Sequence, residues 1–196
     1  MEKLRPVDTL GIQQRKEWGE ILTGWENKYA VMDDKGEGVY WAAEEGRSLF
    51  FCFFLRALRP FTIHILQSDG QTVLRLDRSF RFFFHTLAVR SPDGRCLGTV
   101  EKRFSIVRRI YSVCDDTGQE CCQLFGPLLR PWTFLIRKSG EGIGRISKKW
   151  SGLLQESLAD ADNFSVTFPA ELPVTEKSVL LGAVFLIDFV HFENKS

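Results

Sequence analysis

The sequence predicts a mainly β fold, in which an antiparallel β-barrel closes around a helix formed by the chain's own C-terminal residues. Along most of the 196 residues, short segments alternate apolar and polar side chains, a pattern typical of half-buried strands. Turns rich in Asp, Ser and Gly separate these segments. One long apolar run lies near the C-terminus, and a helix that is apolar all round needs protein on all sides. A two-sheet sandwich with the helix on one face is the alternative.

The N-terminal segment, residues 1–27, has the weakest pattern. Within it, residues 10–14 read as a first strand and residues 15–22 as one or two helical turns. The segment as a whole is therefore predicted to contribute a first strand or a short helix, and both alternatives stay open at this point.

The barrel strands are expected within residues 28–174. Five turns that end in Gly separate alternating segments, and such turns supply the residue tolerant of positive φ that hairpins need. Ten or more strands joined in this way leave exposed edges unless the sheet closes. The predicted strands are residues 29–32, 39–43, 61–66, 72–76, 85–89, 96–102, 106–113, 132–137, 142–147 and 164–168, and the turns are residues 33–36, 68–70, 91–94, 115–118 and 138–140.

The C-terminal segment, residues 175–196, is predicted to be a central helix over residues 175–192 followed by a short tail. Eighteen residues span about 27 Å at about 1.5 Å per residue. Its apolar run, residues 179–187, is followed by Asp188. A bilayer core needs about 20 apolar residues. The run is therefore predicted to be a buried core helix.

Charge is unevenly distributed along a chain whose net charge is only +1. Residues 47–109 contain twelve Lys or Arg and four acids, whereas residues 151–176 contain five acids and no Lys or Arg. Such asymmetry suggests contact with an anionic surface, although the charges could also mix evenly in the folded protein. The small net charge argues against a protein built wholly for nucleic acid.

The cysteines predict reduced thiols in a cytosolic setting. There are five, an odd number, and Cys52, Cys96, Cys114, Cys121 and Cys122 form neither a CxxC motif nor a metal-ligand spacing. No signal peptide is expected, because residues 1–27 are charged throughout.

Catalytic chemistry is not expected. His64, His85 and His191 lie far apart in the sequence and none accompanies a nucleophile in a known signature. The glycine-rich stretch 140–144 resembles a phosphate loop, but it joins two predicted strands instead of opening a helix. We therefore predict a protein without bond chemistry.

Two phenylalanine-rich segments, residues 50–54 and 80–84, are candidates for membrane contact. Continuous apolar runs do not alternate between two faces, and Arg residues flank both. Aromatic rings beside cations suit a lipid headgroup interface, although long core strands would have the same composition. The predicted lipid-contact residues are Phe50, Phe51, Phe53, Phe54, Arg56, Arg59, Arg81, Phe82 and Phe83.

Two further segments carry weaker signals. Residues 160–171 place Asp160, Asp162 and Glu171 at positions 1, 3 and 12 of a calcium-type loop, but aromatic residues occupy two ligand positions. A weak calcium site and a solvated acidic turn both fit. Arg145, Lys148 and Lys149 form a short basic run that suits a nuclear localisation signal, or a solvated strand end.

Several stretches resemble the phospholipid scramblases, most specifically in the C-terminal half. They are residues 22–29, 42–45, 59–61, 144–150, 160–164 and 182–189. The resemblance implies a tubby-like barrel of twelve strands around a hydrophobic helix. It further implies calcium-dependent, bidirectional movement of phospholipids at the cytoplasmic face of the plasma membrane, with Ca²⁺ bound weakly by residues 160–171. Importin binding at residues 144–153, DNA binding and a nuclear pool are also properties of this family.

The sequence departs from the scramblase pattern in two places. The sequence begins almost at the expected barrel, so the family's Pro-rich N-terminal tail, which recruits WW or SH3 domains, is expected either to be absent or to have been trimmed. The Phe-rich segments stand where the family has palmitoylated cysteine clusters, which leaves Cys52 as the candidate for acylation that the resemblance implies. One acyl chain gives only marginal membrane binding. The alternatives to scrambling are therefore an adaptor that binds anionic lipid without moving it, and a nuclear-shuttling regulator. No small-molecule substrate other than lipid is expected.

Overall fold

A computed structural model describes residues 1–15, 25, 27–45, 60–79, 85–105, 107–148 and 163–192. It contains a closed barrel of twelve antiparallel strands and one α-helix, which confirms the predicted fold class. A short 3-10 helix, Glu2–Leu4, precedes the barrel. The elements are β1 (Thr9–Arg15), β2 (Lys28–Met32), β3 (Gly38–Glu44), β4 (Phe61–Leu66), β5 (Thr72–Arg78), β6 (Thr86–Arg90), β7 (Cys96–Lys102), β8 (Arg109–Asp115), β9 (Glu120–Gly126), β10 (Thr133–Lys138), β11 (Glu141–Ser147), β12 (Asn163–Thr167) and α1 (Val174–His191).

Each strand pairs with its neighbours in sequence, and β1 closes the barrel by pairing with both β2 and β12. The N-terminal segment thus supplies a barrel strand through Arg15, the first residue of the expected helical turns. The rest of that stretch lies outside the described residues. The sequence reading missed β9 entirely. In β9, Cys121 is an extra residue, because Val113 pairs with Cys122 while Cys114 pairs with Glu120. This β-bulge interrupts the alternation on which strand prediction depends.

The helix α1 fills the barrel, as its apolar sequence predicted. The side chains from Lys177 to Ile187 are all buried. The helix approaches β6 closely at Gly182, where a Cβ atom would lie 2.8 Å from Val89 and 3.0 Å from Leu87. A glycine there lets the helix backbone pack directly on the strand.

Among the described residues, no helix combines the length and the apolar character needed to cross a bilayer.

The barrel has two different ends. At the turn end, short Gly-containing turns join β2 to β3, β4 to β5, β6 to β7, β8 to β9 and β10 to β11, and α1 begins. At the loop end, the longer connections leave the barrel and α1 ends, with Phe192 stacked on Trp132 at a centroid distance of 5.1 Å. Because strands alternate in direction, every connection from an odd-numbered strand to the next even-numbered one lies at the loop end. This division positions the candidate site.

Candidate functional site

Both Phe-rich segments belong to connections at the loop end. The strand β3 ends at Glu44 and β4 begins at Phe61, while β5 ends at Arg78 and β6 begins at Thr86. The connections between these strands therefore start and finish at this end. The predicted lipid-contact residues themselves, and Cys52, lie outside the described residues: Phe50, Phe51, Phe53, Phe54, Arg56, Arg59, Arg81, Phe82 and Phe83.

The described loops at this end expose large apolar side chains beside arginines. The β7–β8 loop presents Phe104, which is 83% exposed, and the β9–β10 loop presents Leu129, which is 96% exposed. Folded proteins rarely leave contiguous apolar side chains uncovered without a function for them. We call this surface the loop-end rim, and it comprises Arg103, Phe104, Val107, Arg108, Leu128, Leu129, Arg130 and Trp132.

The β9–β10 loop is held firmly in place although its leucines face solvent. The Arg109 guanidinium donates hydrogen bonds to the carbonyl oxygens of Pro127 at 3.1 Å and Arg130 at 3.2 Å, and a third to that of Pro131. The same group lies 4.7 Å above the Phe134 ring. The exposure of Leu128 and Leu129 is therefore built into the fold.

The end of α1 connects to the rim through aromatic contacts. Trp132 stacks on Phe192, and the Lys148 ammonium lies 4.5 Å from the Phe192 ring centroid and 5.7 Å from that of Trp132. This geometry places a cation among aromatic rings, where cation–π attraction orders all three side chains. The end of α1 is thus packed against Trp132 of the rim through the buried ring of Phe192.

The predicted nuclear signal is part of the barrel wall as far as it is described. Arg145 lies in β11, where it pairs with Leu135 of β10 and Thr167 of β12. Lys148 follows the strand and contacts the aromatic rings at the loop end, while Lys149 lies outside the described residues. An importin that takes an extended peptide would require β11 to leave the sheet.

The two ends of the barrel carry opposite charge. In the connections 103–108 and 127–132 at the loop end there are three arginines and no acid. The turns at the other end are rich in acids, and their carboxylates accept hydrogen bonds from turn backbone N–H groups, as Asp33 does from Lys35 and Glu37. The charged residues between the strands at this end are Asp33, Asp34, Glu37, Asp69, Asp93 and Asp116, against Lys35 and Arg95. An anionic surface is therefore attracted to the loop end and repelled by the turn end.

The predicted calcium ligands are divided by β12. This strand begins at Asn163, which pairs with Gln13 at the loop end, and it runs for about 17 Å at about 3.3 Å per residue. Glu171 follows it at the turn end. Burial lowers the pKa of Lys177 there, and the charges of Asp8 and then Glu171 offset part of that lowering. Asp160 and Asp162 precede the strand and lie outside the described residues.

A buried arginine and a histidine form a pair beneath the loop end. Arg78 is only 3% exposed, and its guanidinium hydrogen-bonds to Nδ1 of His85 and lies 4.6 Å from the Phe189 ring centroid. Burial, followed by the charges of Arg78 and Lys102, lowers the pKa of His85 to about 4. The imidazole is therefore neutral at physiological pH and accepts the bond from Arg78.

This pair predicts acid sensitivity. We expect the free energy of unfolding to fall as pH drops from about 6.5 to about 4, because there the unfolded chain binds a proton at His85 and the folded chain does not. After allowance for partial exposure, the loss attributable to His85 is about 2 kcal/mol. Urea unfolding at several pH values measures it. His85→Gln keeps an acceptor for Arg78 and removes the titration, so an equal loss in this variant would contradict the prediction.

Sequence reasoning missed one side-chain cluster at the turn end. The sulfur atoms of Cys121 and Cys122 and a carboxylate oxygen of Glu176 lie within 4.8 Å of one another. Cys121 and Cys122 are adjacent and Glu176 is far away in sequence, so the three residues match no metal-ligand motif that could be recognised in the sequence. A hydrogen bond from the Cys122 thiol lowers the pKa of Cys121.

The comparisons with known proteins agree with this architecture. A solved structure of a protein from Arabidopsis thaliana, 16% identical over 93% of both chains, superimposes with a TM-score of 0.51 and shares the tubby-like fold. Phospholipid scramblase 1 from Mus musculus is 33% identical over 98% of this chain and 63% of its own length, and that from Homo sapiens is 32% identical over 99% and 66%. The chain therefore spans slightly less than two thirds of these relatives. Residues 1–194 match the Scramblase family model, and the chain belongs to the scramblase family.

Proposed function

We propose that this protein binds phospholipid membranes through its loop end and moves phospholipids between leaflets in a calcium-dependent manner, at the cytoplasmic face of the plasma membrane. The carrying observation is the loop-end rim, where ordered loops hold apolar side chains in solvent beside arginines. Aromatic and aliphatic side chains enter the headgroup region while arginines contact lipid phosphates. The names of the relatives, phospholipid scramblases, supply the activity.

Membrane attachment on this proposal places both Phe-rich connections against the lipid, because they leave the barrel from the same end as the rim. Calcium then acts at Asp160 and Asp162, just before the start of β12 at that end. A cation held there lies close to the lipid phosphates. On this proposal Glu171 is not a calcium ligand, because it follows β12 whereas Asp160 and Asp162 precede it.

A second candidate is an adaptor that binds anionic lipid without moving it. The observation that favours it is the position of α1. Its apolar side chains already pack against the barrel wall, with Leu180, Leu181 and Leu186 fully buried, so the helix has no free apolar face to offer a bilayer. On this proposal, the rim makes the membrane contact and the lipid stays in its leaflet.

Reconstitution separates the two candidates. Purified protein is incorporated into vesicles that contain a fluorescent phospholipid, and a membrane-impermeant quencher reports how much of that lipid reaches the outer leaflet as calcium is added. For a scramblase we expect quenching beyond the initial outer-leaflet fraction, lost in Asp160→Asn/Asp162→Asn and retained in Glu171→Gln. Binding without calcium-dependent quenching would instead identify the adaptor. Equal loss in Glu171→Gln would contradict the assignment of the calcium ligands.

A further inference from the structure

At the turn end, remote from the proposed membrane surface, the cluster of Cys121, Cys122 and Glu176 has the composition of a metal site. Two thiolates and a carboxylate suit Zn²⁺ and related borderline or soft divalent cations, and they do not suit calcium, which takes oxygen ligands. The three ligand atoms lie within 4.8 Å of one another. Tetrahedral thiolate ligands about 2.3 Å from a zinc ion are separated by less than this, so small side-chain rotations close the site.

The β-bulge in β9 explains how adjacent cysteines come to one site. Side chains of consecutive strand residues normally point to opposite faces. Here Cys121 is the unpaired bulge residue between the pairs Cys114–Glu120 and Val113–Cys122, and bulges redirect side chains in this way. Cys122 is buried at 2% exposure, and Cys121 is half-buried beside it.

The third ligand comes from the first turn of α1. Glu176 places a carboxylate oxygen 3.8 Å from the Cys122 sulfur. Lys138 of β10 lies 2.9 and 2.8 Å from its two carboxylate oxygens. The Lys138 side chain is 39% exposed, so it can turn into solvent when a cation takes the carboxylate. When no metal is bound, the Lys138 ammonium balances the negative charge of the Glu176 carboxylate.

The cluster opens to solvent through a cleft. Its volume is about 550 Å³, and Cys121, Cys122 and Lys138 contribute to its lining together with Asp115 and Glu120. The cleft gives an ion a path of approach and leaves room for a water molecule as fourth ligand. The acidic turns around this end attract cations to it.

We propose that Cys121, Cys122 and Glu176 form a binding site for a zinc-type divalent cation that joins the bulge of β9 to the beginning of α1. The site has three protein ligands and one open position. Lys138 competes with the cation for Glu176.

Cobalt and zinc test the site in solution without lipid, so the outcome is independent of the proposed membrane function. We expect one Co²⁺ per chain, with the thiolate-to-metal charge-transfer absorption typical of sulfur ligands, and displacement by Zn²⁺. Cys121→Ser and Glu176→Gln each weaken Zn²⁺ binding at least 10-fold, while Cys96→Ser, which changes a free cysteine in another strand, leaves it unchanged.

The variant Lys138→Gln distinguishes the metal site from a plain ion pair. Removal of the competing ammonium is expected to strengthen Zn²⁺ binding several-fold. Weaker or unchanged binding in Lys138→Gln would overturn the role given to Lys138. Absence of the charge-transfer band, or equal binding by Cys121→Ser and the parent protein, would overturn the site itself. Cys122 is buried, so the test relies on Cys121 and Glu176, whose variants are the less disruptive ones.

Discussion

Replacement of Lys177 by Met is expected to destabilise the protein by about 3–5 kcal/mol. Lys177 is fully buried in the first turns of α1. Its ammonium shares three N–H donors among four carbonyl oxygens, those of Leu4 at 3.1 Å, Arg5 at 2.9 Å, Val7 at 2.6 Å and Ala170 at 2.8 Å. Burial lowers the pKa of this lysine, but four carbonyl acceptors favour its charged form.

The size of this effect follows from what Met leaves behind. Met has nearly the same shape but donates no hydrogen bond, so the carbonyl groups lose their partner, and each unsatisfied buried group costs about 1–3 kcal/mol. The destabilisation cannot exceed the free energy needed to detach the N-terminal segment. Detachment would return the carbonyl groups to water, but it would also expose Leu4. Since domains are stable by only about 5–15 kcal/mol, the loss is a large share of the total.

Urea unfolding of Lys177→Met against Lys35→Met, a lysine exposed in the β2–β3 turn, measures the effect. Hydrogen exchange adds a local readout: amides of the N-terminal segment and of β1, which follows it, should lose protection first. A difference below about 1 kcal/mol, with protection retained, would mean that the four carbonyls find other partners.

The barrel could be predicted from the sequence because alternation and glycine turns are local signals. Lys177 shows why burial could not be read in the same way. A lysine near the start of a helix is normally solvated, and this one is covered only because the N-terminal segment folds over it. The bulge at Cys121 breaks the alternation of β9, so the strand could not be recognised from its sequence. The thiol–carboxylate cluster could not be recognised either, because it forms only where β9 approaches Glu176 of α1.

The candidate site was only partly predictable for a related reason. A run of phenylalanines between arginines is easily recognised in a sequence, and on this basis residues 50–54 and 80–84 were predicted to contact the membrane. Phe104, Leu128 and Leu129 stand singly or in a pair, with a composition that any core could use. Their significance comes from their position in loops at the same barrel end, which only the strand order reveals.

Substitution of the three exposed apolar residues Phe104, Leu128 and Leu129 by Ser is expected to weaken binding to phospholipid vesicles about 100-fold. Each side chain that leaves water for the interface contributes about 1 kcal/mol, a discounted value because interfacial burial is partial. The three together contribute about 3 kcal/mol, which corresponds to that factor. Vesicle co-sedimentation over a range of lipid concentrations measures the change. Stability should be nearly unaltered, because the replaced side chains are exposed.

The arginines of the rim make a second contribution to membrane binding, an electrostatic one that can be measured separately. Replacement of Arg108 and Arg130 by Gln should weaken binding only to anionic vesicles and mainly at low salt, because each cation near such a surface contributes about 1 kcal/mol that ions screen. Arg103 is left unchanged, because its guanidinium already pairs with Glu120 at 3.1 Å. The matched control, Lys35→Gln/Arg95→Gln, removes cations from the turn end, and it should leave binding unchanged. If the control reduced binding as much as the rim variants did, the turn end would be the membrane surface. Since that end is the more acidic of the two, such a result would mean that charge does not orient the barrel.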